Sequence, residues 1–157
     1  MSRQELLVLV TKLFSTSSLP SLAGDVHPAW ILYADLRRGS GGPLRIVIPT
    51  GSGRTVGTGI AVAIPSGCIG LLCPYAPLAM QNLLKPAVAP SLISSMEHGE
   101  LEVLLHNDGR DHYSVYHGDP IAYLLFVPCA LPVLACVSSL PPPIRSCMGG
   151  GGEGSHA

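Results

Sequence analysis

Proline or glycine interrupts this chain every few residues, and that punctuation limits the fold more than any other feature. Fifteen prolines and eighteen glycines are spread over 157 residues. Proline inside a helix removes a hydrogen bond and clashes with the preceding turn, and interior glycine costs conformational entropy. Long helices are excluded, and short strands joined by tight turns remain. The segments between the breakers agree. Residues 30–36, 44–48, 55–64, 68–73, 101–105, 114–116 and 121–127 are rich in apolar and β-branched side chains, and turn residues bound them. Residues 5–13 and 130–137 read as the first and last strands, and 92–96 as a shorter apolar piece. The expected architecture is an all-β sandwich or jelly-roll barrel of about ten short strands. Residues 79–90 are the only helical turn, and 15–28 form a surface loop.

One stretch organises the rest. Pro65-Ser66-Gly67 marks a tight turn, the apolar run 68–73 reads as a buried strand, and Pro74 to Pro77 break it. That strand delivers Tyr75 and Ala76 to a sharp bend where side chains can meet a ligand. Within 55–64, Gly57 and Gly59 predict a bulge or a close backbone approach. Asn107-Asp108-Gly109 and His117-Gly118-Asp119-Pro120 predict turns.

Charge narrows the function. Charged residues make up 12% of the chain and the formal charge is -1, so there is no basic footprint for nucleic acid. The apolar run 6–10 is preceded by Glu5 and cut off by Lys12, too short for a signal core or a membrane span. The five cysteines contain no C-x-x-C pair and are odd in number, which predicts free thiols in a reducing compartment, cytoplasm or nucleus. Three consecutive prolines and four consecutive glycines set 138–157 apart as a flexible tail behind a domain of residues 1–137. His106, His112 and His117, with Asp108 and Asp111 between them, lie in a stretch that reads as a solvated hairpin loop and not as a zinc site. No nucleophile elbow frames a serine, and no P-loop lysine follows the glycines at 149–152.

Five pieces in order resemble the trimeric dUTPase family, over roughly the whole chain after residue 30. Gly118-Asp119-Pro120-Ile121-Ala122-Tyr123 and the apolar strand after it resemble the family's fourth motif, Gly-Asp-Arg-Ile-Ala-Gln. Pro74-Tyr75-Ala76-Pro77-Leu78-Ala79 stands where the second motif, Pro-Arg-Ser-Gly-Leu-Ala, would be. Leu32-Tyr33-Ala34-Asp35-Leu36 is similar to the first, whose aspartate lies near the metal. Residues 93–100 occupy the place of the third, and Gly151-Gly152-Glu153-Gly154-Ser155 is similar to the glycine-rich fifth. The resemblance implies a jelly-roll-like core, a homotrimer with sites at subunit junctions, and a tail that closes over the nucleotide. It also implies hydrolysis of dUTP to dUMP and pyrophosphate with magnesium, for which Asp35 is the retained acidic position.

The matched positions depart from the family at nearly every reacting group. The water-orienting aspartate corresponds to Ser94 and the ribose-excluding tyrosine to Glu97. The phosphate-binding arginine and serine correspond to Tyr75 and Ala76, the fourth-motif glutamine to Tyr123, and the stacking aromatic of the lid to Glu153 beside Ser155. A hydroxyl does not replace a carboxylate as acceptor of the water's proton, and Glu97 repels a triphosphate. These residues form a degenerate nucleotide site. The leading expectation is a dUTPase-fold trimer that has lost hydrolysis and binds a host or viral protein partner, with weak or absent dUTP binding. The alternatives are a working magnesium-dependent dUTP diphosphatase and a purely structural jelly-roll module.

Overall fold

The segments that the breakers delimit become strands in the computed structural model, which describes residues 6–25 and 28–142. Among the described residues are eleven strands and one helix. β1 (Leu9–Lys12), β2 (Ser21–Leu22), β3 (Trp30–Tyr33), β4 (Arg45–Ile48), β5 (Gly53–Ala63) and β6 (Cys68–Pro74) precede α1 (Ala76–Asn82). After the helix come β7 (Leu84–Pro86), β8 (Ser91–Ile93), β9 (Glu100–Asn107), β10 (Tyr113–Tyr116) and β11 (Pro120–Pro128). One sheet has the order β1-β5-β9-β7, a second β2-β3-β11-β6-β8, and β10 pairs with β4 alone. The described residues are all-β with a single short helix, as the punctuation of the sequence predicts.

The core lies between the two larger sheets. β9 shows the two-residue period of a strand with one buried face: Leu101, Val103 and Leu105 are buried while Glu102 and Leu104 face outward. Across from it, Leu32, Leu72 and Leu124 are nearly inaccessible. β5 departs from that period. Residues 58–62 are buried without interruption, because the core takes one face while Ser17, from the loop after β1, and Asp35 lie against Gly59 on the other. The apolar run at the centre of the chain is β6, paired antiparallel with β11 from Ala122↔Pro74 to Pro128↔Cys68.

Two expectations are corrected. The helix occupies Ala76–Asn82, not 79–90, and Lys85 stands in the middle of β7. Pro77 does not break the helix, because it sits in the first helical turn, where its missing N–H has no intrahelical partner to lose. Leu83, in the left-handed conformation at φ 54°, ends the helix. The second correction is the last strand. Residues 130–137 belong to no sheet, and Leu131, Val133 and Leu134 are 88–95% exposed. Strand propensity counts only where a neighbouring backbone is paired, and no described strand pairs with these residues. The residues from 143 onward, including Cys147, Glu153 and Ser155, lie outside the described residues.

The glycines in β5 do what their positions predict. The β5–β9 register shifts between Gly57 and Ala61, and Gly59 adopts φ +66°. A Cβ on Gly59 would lie 2.5 Å from Asp35 Oδ2 and would overlap the Ser17 side chain. Gly59→Ala is therefore expected to lose roughly 3 kcal/mol of stability, from strain and collision together. Urea denaturation checks this, and a variant as stable as the parent would show that the loop carrying Ser17 yields.

Candidate functional site

Three elements converge beside the end of β6. The strand runs to Pro74, Tyr75 turns the chain with φ -72° and ψ 110°, and α1 begins at Ala76. Opposite lies the turn between β10 and β11. It closes through Asp119 N–H donating to Tyr116 O at 3.1 Å and Tyr116 N–H donating to Asp119 Oδ2 at 2.8 Å. Gly118 there adopts φ +85°. Paired bonds fasten this turn to the end of β3: Gly118 N–H to Ala34 O and Ala34 N–H to Asp119 O, both 2.8 Å. Between bend, helix and turn is a cleft of about 200 Å³ lined by Tyr75, Pro77, Gln81, Asn82, Tyr113 and Asp119, with apolar residues beneath.

The cleft is polar but holds one formal charge. Among the described residues Asp119 is the only acidic side chain on its lining, and no Lys, Arg or His faces it. Burial pushes the Tyr113 phenol pKa up, and the charge of Asp119 pushes it further in the same direction. Tyr75 meets Tyr123 edge to face, with centroids 5.2 Å apart and rings at 66°, so the two tyrosines pack on each other at the bend. Ala76 is exposed at the helix start.

Asp35 stands elsewhere, and inward. It is 2% exposed and accepts hydrogen bonds from Thr16 Oγ1 at 3.0 Å, Ser17 Oγ at 2.7 Å and Arg38 N–H at 3.0 Å. Burial by itself would raise its pKa, but bonds from Ser17, Arg38 and Thr16 outweigh it and hold the carboxyl below its usual value. His117 Nδ1 accepts from Leu36 N–H at 3.3 Å. Its 3.5 Å approach to Asp35 Oδ1 is therefore a contact and not a hydrogen bond.

Ser94 and Glu97 follow β8, far from the cleft. Ile93 pairs with Gly70 near the start of β6, whereas Tyr75 lies beyond its end. At about 3.3 Å per residue, the two groups are about 20 Å apart along the strand. Ser94 Oγ accepts from Met96 N–H, and Glu97 is exposed. One chain brings Tyr75, Ala76 and Tyr123 together and leaves Ser94 and Glu97 at the far end of the sheet.

The three histidines have separate partners. His106 Nδ1 lies 2.8 Å from Asp108 Oδ1, His112 Nδ1 accepts from Thr50 N–H at 3.3 Å, and His117 faces the Asp35 loop. Among the described residues no three His, Cys, Asp or Glu side chains gather. With Asp35 turned inward and fully bonded, these carboxylates do not fit a protein-held magnesium ion. A magnesium ion carried on substrate phosphates needs only one or two carboxylates. Gln81, Asn82 and Tyr113 are cleft residues that sequence reasoning missed. A proline allowed in the first turn would have moved the helix back and exposed the first two as a pair on its last turn.

Comparison with known proteins agrees with this architecture. The model of the dUTPase family matches residues 43–154. A deoxyuridine 5'-triphosphate nucleotidohydrolase of Rhodococcus erythropolis is 38% identical over 113 residues, which is 71% of this chain and 69% of that protein. The Nocardia farcinica protein of the same description is 35% identical over 113 residues, 71% and 68% of the two chains. Among solved structures, the dUTPase from phage phi11 of S. aureus superposes with a TM-score of 0.73 at 19% identity, covering 85% of this chain and 97% of that one. A mutant of the Staphylococcus bacteriophage 80alpha dUTPase with dUpNHpp gives 0.76 at 18% identity, covering 88% and 92%. A mutant of the phi11 protein is described as coordinating a structural Mg(II) ion.

The buried carboxylate gives a pH-dependent prediction. A folded-state pKa below 3.8 means that Asp35 stabilises fully above that value and loses its contribution as pH falls through the lowered one. Asp35→Asn is expected to cost roughly 1–3 kcal/mol at neutral pH. The gap to the parent should shrink in acid, as urea denaturation at the two pH values will measure. A gap unchanged in acid would show that packing, not the ionised carboxylate, has been lost.

Proposed function

This chain belongs to the dUTPase family, and on that premise we propose that it hydrolyses dUTP to dUMP and pyrophosphate. The observation that carries this reading is the 38% identity to a deoxyuridine 5'-triphosphate nucleotidohydrolase over more than two thirds of each chain. The family match at 43–154 takes in the bend, α1 and the β10–β11 turn, so it covers the cleft as well as the core. Self-assembly is part of the proposal. With Tyr75 and Ser94 about 20 Å apart in one chain, a complete site needs a second copy, and a homotrimer supplies it. In such a site the phosphates meet backbone N–H groups, amides of Gln81 and Asn82, and phenols; magnesium, arriving with them, offsets their charge.

A second reading is favoured by the cleft's own residues. Phosphoryl transfer relies on cationic donors and a group that orients water, and here Tyr75, Ala76, Pro77 and Ser94 stand at those positions. Losing the water-orienting carboxylate alone costs on the order of 10²–10⁴-fold in rate. Asp119 adds an uncompensated negative charge. In this reading the trimer keeps the fold, has left the reaction, and binds a host or viral protein in the cytoplasm or nucleus.

Pyrophosphate release from dUTP with magnesium, followed over a range of protein concentrations, separates the two. Turnover that scales with protein and falls in the Gln81→Ala/Asn82→Ala double variant is the outcome expected for a hydrolase. A trimer by sedimentation with no release above the blank would sink the hydrolase reading and leave the second.

A further inference from the structure

The cleft beside α1 holds a negative charge that none of its other lining residues offsets. Asp119 is only partly buried, and among the described residues its carboxylate receives one hydrogen bond, from Tyr116 N–H to Oδ2. The rest of the rim carries no charge: the amides of Gln81 and Asn82, each with a carbonyl acceptor as well as N–H donors, and the rings of Tyr75 and Tyr113. A phosphate entering here meets a like charge. A cation meets a carboxylate, two amide carbonyls and two aromatic rings, which attract it through their quadrupoles.

We propose that this cleft accepts the guanidinium of an arginine side chain presented by a protein partner. The inference rests on the second reading above and names the chemistry of its partner. A cleft of about 200 Å³ is smaller than typical small-molecule pockets, which start at about 300 Å³, and suits a single side chain. Arginine fits better than lysine. Its planar fork carries five donors and no acceptor, stacks on tyrosine, and leaves water at less cost than an ammonium. Pro77 and Pro120 line the cleft with rigid backbone lacking N–H donors, so two groups that would bind an anion are absent by sequence.

The test titrates isotope-labelled full-length protein with N-acetyl-arginine amide and follows the backbone amides of Asn82, Tyr113 and Asp119. N-acetyl-citrulline amide, which has nearly the same shape without the charge, is the control. Saturating shifts in the millimolar range are expected with the arginine compound and not with citrulline. Binding should be roughly tenfold weaker or undetectable in Asp119→Asn, whose side-chain carbonyl still accepts the Tyr116 N–H and keeps the turn. A second variant, Tyr75→Leu, should weaken binding without removing it. No shifts, equal shifts with citrulline, or full binding by Asp119→Asn would overturn the proposal. The same samples assayed for pyrophosphate release keep the two claims apart. Turnover of dUTP removes the second reading itself, whereas no turnover and no arginine binding removes this inference alone.

Discussion

A single ionised carboxylate, kept out of water, ties the chain's loops to its sheets. Burying a charge is costly unless hydrogen bonds replace the lost hydration. Asp35 meets that condition with two hydroxyls and one backbone N–H. The donors come from two loops: Thr16 and Ser17 from the one after β1, Arg38 from the one after β3. The backbone of Asp35 donates to Gly57 O at 2.9 Å, and Gly59 must lack a side chain because the carboxylate and Ser17 occupy that space. Arg38 extends the same knot. It forms two bonds to Glu100, at 3.1 and 2.8 Å, and stacks on Phe14 with its guanidinium carbon 4.8 Å from the ring centroid. Glu100 then accepts from Gly59 N–H at 2.9 Å. The bulge in β5 is thus held from both sides.

That knot sets the cleft at a distance. Ala34, the neighbour of Asp35, exchanges backbone bonds with the 118–119 turn, so the position of Asp119 depends on a carboxylate that never reaches the cleft. The resemblance to the family places Asp35 near a metal. In this chain its ligating oxygens are spent on protein donors, and the structural role accounts for the residue without any chemistry. The same economy of roles holds at the bend. Tyr75 and Tyr123 occupy two positions from different family motifs, and they pack against each other.

Much of the architecture was readable because its causes are local. Pro and Gly act within one or two residues of themselves, so strand boundaries at 68–74 and 100–107 fall close to the breakers that announce them. The helix was misplaced for an equally local reason, since the same proline that ends one helix can begin another. The expected strand at 130–137 failed differently. Its side chains carry strand propensity, but a strand exists only where another backbone takes up its hydrogen bonds, and none of the described strands pairs with it. Gln81, Asn82 and Tyr113 escaped because a cleft is a meeting of elements far apart in sequence.

The sequence by itself determined the class of fold, the family, and the close approach at Gly57 and Gly59. All of these rest on short-range sterics or on identities that no folding alters. Only the tertiary structure decided that Asp35 is spent inside the protein, that Ser94 lies about 20 Å along the sheet from Tyr75, and that Asp119 is the one charge in the cleft. These depend on strand pairing between distant segments, which fixes where a side chain's partners are and therefore what chemistry it has left to offer.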